Sequence, residues 1–139
     1  MERLRSIAES AGYGVSAHVR FETARRQLLC GQPSAVVTNV RLAAFNGIHL
    51  AYLAKSADPN VRALVYARPH DPVLAREAQR VNVFYERQTF LPFSLKGFLE
   101  AGLPTSDRRN AILLDRRTVF RSGRRATDVA ILHASLATN

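Results

Sequence analysis

The chain has 139 residues, 47% of them apolar and 22% charged, a balance that fits one compact domain and excludes both a two-domain chain and a disordered one. Its formal charge of +9 comes almost wholly from arginine, since Lys55 and Lys96 are the only lysines among 20 basic residues, and such a surplus points to polyanionic partners, nucleic acid first. Cys30 stands alone, which excludes an internal disulfide and the cysteine-rich zinc patterns; no apolar run reaches the length of a membrane span, and MERLRSIAES lacks a signal-peptide layout, so a cytoplasmic protein is expected.

In chain order, Leu4, Ile7, Ala8 and Ala11 fall on one helical face, and Gly12-Tyr13-Gly14 ends that helix. Val15 to Val19 reads as a short strand and Phe21 to Leu29 as a helix, broken by Gly31-Gln32-Pro33-Ser34. Ala35 to Val40 is a β-branched run of buried-strand type, followed by a loop and a helix from about Gly47 to Ser56. After the turn Asp58-Pro59-Asn60, Val61 to Tyr66 is a second buried strand. Pro72 to Val81 is a helix with proline at its start, Val83 to Tyr85 a short strand, and Phe93 to Ala101 a final helix. This alternation predicts an α/β fold, a doubly wound parallel sheet covered on both faces, over residues 1–103. Residues 104–139 break the rhythm with arginine pairs and two apolar tetrads, Ala111 to Leu114 and Val129 to Leu132, and read as a basic C-terminal arm. Arg116, Arg117, Arg121, Arg124 and Arg125 are its candidate polyanion-binding residues, through which it would act as a nucleic-acid or acidic-partner adaptor.

The ordered landmarks Gly12-Tyr13-Gly14-Val15, Phe21-Glu22-Thr23-Ala24, Ala35 to Leu42 with Asn46-Gly47-Ile48-His49-Leu50, Asp58 to Val65, and Phe90 with Leu95 resemble the receiver domain of two-component response regulators. The resemblance covers roughly residues 3–101 and implies a flavodoxin-like sheet. In that family an aspartate nucleophile, an acidic pair holding Mg²⁺, a hydroxyl and a lysine carry out phosphoryl transfer. The matching positions here are Asn39, Tyr66 and Gln88, and the acidic pair has no counterpart. The resemblance therefore implies a pseudo-receiver: no enzyme, no catalytic residue, no cofactor, no metal and no small-molecule substrate, but a protein partner or a homodimer. By the same likeness the partner face runs over residues 72–101, with Val83, Phe84, Tyr85 and Phe90 as interface candidates.

The family's first strand, central in the sheet, would precede Glu2 and has no counterpart. A vacant central slot leaves two rows of backbone groups unpaired. Ala111 to Leu114 is the first candidate to fill it, bringing Asp115 near Asn39; Val129 to Leu132 is the second, from the same chain or by exchange between two chains. A truncated start, or a sheet that closes up without the strand, are the other expectations. The four histidines show no metal spacing, and the glycines form no phosphate loop.

Overall fold

The computed structural model describes residues 2–42 and 45–101, together with the backbone of 129–134. Helices α1 (Glu2–Ser10), α2 (Phe21–Cys30), α3 (Gly47–Ala57), α4 (Pro72–Arg80) and α5 (Leu91–Glu100) alternate with strands β1 (Tyr13–His18), β2 (Ala35–Asn39), β5 (Arg62–Ala67) and β6 (Phe84–Arg87). A small hairpin, β3 (Arg41–Leu42) and β4 (Phe45–Asn46), fills the link between β2 and α3, where the sequence predicts only a loop. The last strand among the described residues is β7 (Val129–Ala134).

Local chemistry sets several boundaries. Gly12 turns the chain out of α1 with φ at +83°, a conformation that costs glycine little. The Asp71 carboxylate accepts from the backbone N–H groups of Val73 and Leu74 at 2.9 and 3.3 Å, with Pro72 as the first helical residue, so α4 starts with a full cap. The Asn46 side chain accepts from the Ile48 N–H at 2.9 Å and starts α3 in the same way.

The main sheet has the order β1-β7-β2-β5-β6. Strands β2, β5 and β6 pair in parallel, Ala35 opposite Arg62 and Leu64 opposite Phe84. Alternate residues of β2 and β5 face opposite layers. Ala35, Val37, Leu64 and Tyr66 form one core with Ala8 of α1 and with Leu91, Leu95 and Leu99 of α5. On the other face Val36 packs with Ala24, Leu28 and Leu50 of α2 and α3, while Ala63, Val65 and Ala67 pack with Ala51 and Ala78 of α3 and α4. Burial on both faces explains why β2 and β5 read as unbroken apolar runs.

Strand β7 lies between β1 and β2 and is antiparallel to both. Val129 stands opposite His18 and Thr38, and Leu132 opposite Val15 and Ala35. The sheet is thus mixed, a correction to the all-parallel sheet that the alternation predicts. An apolar run records burial on both faces and not direction, and an antiparallel strand satisfies the backbone groups of both neighbours as a parallel one does. Strand β7 begins at the carboxyl ends of β1 and β2 and runs back toward their amino ends. The slot is taken by the second of the two predicted tetrads, and the C-terminal stretch read as a basic arm enters the sheet through it. Ala111 to Leu114 and Asp115 lie outside the described residues.

Candidate functional site

In open α/β sheets ligands and reactions gather beyond the carboxyl ends of the strands. Here β2 ends at Asn39, β5 at Ala67 and β6 at Arg87. Asn39 and Tyr66 are register partners, and the Gln88 N–H donates to the Ala67 carbonyl at 3.1 Å, so the three sequence-predicted positions are brought to one end of three adjacent strands. The register adds Arg87, opposite Ala67, and Glu86, opposite Tyr66. Spacing counted from Leu95 lands on Gln88 and passes over both.

Asn39 is nearly buried, at 9% exposure, and its side-chain oxygen accepts from the Arg41 N–H at 2.8 Å. That bond closes a local turn, and the loop is tightened by Val40 N–H donating to the Tyr66 carbonyl and Gly47 N–H to the Val40 carbonyl, at 2.8 and 2.7 Å. A Cβ on Gly47 would lie 1.9 Å from the Asn39 carbonyl oxygen, so this close approach requires glycine. Beside the loop Phe45 stacks on Phe21 with ring centres 4.2 Å apart, and His49 stands 6.0 Å from Phe21.

The chemistry available at this end is limited. The Asn39 amide is neutral and a poor nucleophile, and its oxygen is committed to the backbone. Of the carboxylates on the adjoining segments, Asp71 caps α4 through one oxygen, and one Glu86 oxygen accepts from the Arg87 N–H at 2.7 Å. Among the described residues no three His, Cys, Asp or Glu side chains converge as metal ligands would.

The predicted interface residues separate. Val83, just before β6, is 3% exposed and packs with Ala63, Val65 and Ala78 in the core, so its side chain is turned inward and is no part of the exposed face. Phe84 is 51% exposed, its ring 5.7 Å from that of Phe98. Tyr85 is half-buried, its hydroxyl accepting from the Asp71 N–H at 3.0 Å. Phe90 is 53% exposed. Sequence reasoning missed Phe93, at 75% the most exposed aromatic ring among the described residues, over which the Arg3 guanidinium sits at 5.7 Å. The i, i+4, i+8 repeat of Leu91, Leu95 and Leu99 was the available signal, because Phe93 falls off that buried stripe. Arg116, Arg117, Arg121, Arg124 and Arg125 lie outside the described residues. Among the described residues no helix is long and apolar enough to cross a membrane. Compared with known proteins, the chain matches no protein-family model, no curated protein and no solved structure.

Proposed function

We propose that this chain is a pseudo-receiver, a flavodoxin-like scaffold that works as a regulatory protein-interaction module in cytoplasmic two-component-type signalling and performs no phosphoryl transfer. One observation carries the reading: Asn39 and Tyr66 meet at the carboxyl ends of paired strands, next to Gln88, where the resembled family keeps its nucleophile, hydroxyl and lysine. An amide locked into a turn stands where a carboxylate would be needed. The strand order supports it too, because β1, β2, β5 and β6 occur in the receiver sequence around one central strand.

The exposed rings of Phe84 and Phe90 favour a protein partner on the face formed by β6 and α5. Incubation with acetyl phosphate and Mg²⁺, read by intact mass, tests the chemical half of the proposal. No phosphoryl adduct is expected, nor on the Asn39→Asp variant, since neither a metal-binding acidic pair nor the lysine is restored. A mass gain of one phosphoryl group on the wild-type chain overturns the reading.

A further inference from the structure

A cavity of about 570 Å³ opens at the amino ends of β5 and β6, the opposite end of the sheet from Asn39. That volume lies within the range of small-molecule sites. One face of α5, with Ser94, Gly97, Phe98 and Ala101 at helical spacing, forms one wall, and Val83 and Phe84 at the start of β6 form another. The lining is mostly apolar, but two cations reach it, Lys55 from α3 and Arg62 from β5, and among the described residues no carboxylate lines it.

The two cations differ in how they are held. Arg62 is fixed by its bonds to the carbonyls of Phe98 and Leu99 at the end of α5. The Lys55 ammonium donates to the Val61 carbonyl at 3.1 Å, and burial pushes its pKa down despite the pull of Asp58. A half-buried ammonium against an apolar wall gains from an anion that arrives with its own apolar body, since the charge pair forms where water screens it less.

We propose that this cavity binds a small amphipathic carboxylate, its apolar body against Phe84 and Phe98 and its acid group paired with Lys55. The occupant follows from charge complementarity: a neutral apolar molecule brings no countercharge to the two cations, and a fully polar anion leaves the aromatic wall unused. The inference uses none of the residues at the carboxyl ends of the strands, and it shares Phe84 with the exposed pair on the proposed partner face.

The test uses the full chain and 2-naphthoate as the probe, followed by backbone amide shifts in NMR titration, with 2-naphthalenemethanol as the neutral analogue. Saturable shifts centred on residues 55, 62, 84 and 94–98 are expected, with the alcohol binding about tenfold more weakly than the acid. Lys55→Gln should weaken naphthoate about tenfold and remove the preference for the acid. Gly97→Leu should abolish binding while leaving the fold intact, because nothing lies within 4 Å of a Cβ at Gly97 and the new side chain projects into the cavity. Equal affinity for acid and alcohol, unchanged binding by a folded Gly97→Leu variant, or shifts scattered over other surfaces would each overturn the proposal.

Discussion

Replacing Gly47 by alanine puts a methyl group 1.9 Å from the Asn39 carbonyl oxygen, 2.8 Å from its carbon and 3.0 Å from the Thr38 hydroxyl oxygen. These atoms are hard to move: Thr38 is fully buried, and Asn39 is tied by its side chain to Arg41. The carbonyl must retreat by more than an ångström to reach an ordinary contact, which strains the end of β2 and lengthens the 2.7 Å bond from the Gly47 N–H to the Val40 carbonyl. Overpacking costs about 1–3 kcal/mol and the weakened hydrogen bond about 1 kcal/mol, so a loss of about 3 kcal/mol is expected. At roughly 4 °C per kcal/mol, Tm should fall by about 10 °C in a circular-dichroism melt, with a matching drop in the urea midpoint. Gly97→Ala is the internal control. It lies inside α5 with open space around its Cβ, so alanine should add up to about 1 kcal/mol through helix propensity alone. Alanine also favours the helical position at Gly47, so any loss there comes from the clash. A Gly47→Ala variant that melts within about 2 °C of wild type would refute the close packing of this loop.

Asp71→Ala removes the cap of α4 and should cost about 1 kcal/mol, read as a lower urea midpoint at unchanged slope. Burial raises the Glu77 pKa above the usual glutamate value, outweighing the pull of Arg80. The fold therefore favours the protonated acid, and wild type loses that contribution as pH rises through the raised pKa. Glu77→Gln should be the more stable protein near about pH 7 and lose its advantage below the usual glutamate pKa, as denaturant curves at both pH values would report. If the β6 and α5 face binds a second copy, sedimentation velocity should show concentration-dependent association that the Phe84→Glu, Phe90→Glu double variant abolishes; a wild-type monomer at every concentration would leave only a different protein as partner.

Strands β2 and β5 were legible because a run buried on both faces needs apolar residues at every position, and local sequence records that directly. The helices were legible from their stripes and from punctuation such as Asp71-Pro72. Pairing was not, because it depends on distant partners. Tyr13 and Gly14, which read as a turn, belong to β1 since they stand opposite Ala134 and His133. The pattern of Val129 to Leu132 indicates a buried strand but contains neither its neighbours nor its direction. The same limit applies at the site. Asn39 and Tyr66 could be located from the ends of two apolar runs, whereas Arg87 and Glu86 became visible only through the register of β6, a strand too short for its pleat to be read. The cavity at the amino ends left no sequence signal, being assembled from α3, β5, α4, β6 and α5 together.

The fold depends most on a single placement, the C-terminal strand between β1 and β2, because that joins β1 to the parallel strands in one five-stranded sheet. Backbone nuclear Overhauser contacts of Ile131 in the isotope-labelled protein test it directly. Ile131 should show cross-strand contacts to both Ser16 and Val36, its antiparallel partners on either side. Contacts to neither residue, with random-coil shifts across 129–134, would contradict the fold and the function proposed from it.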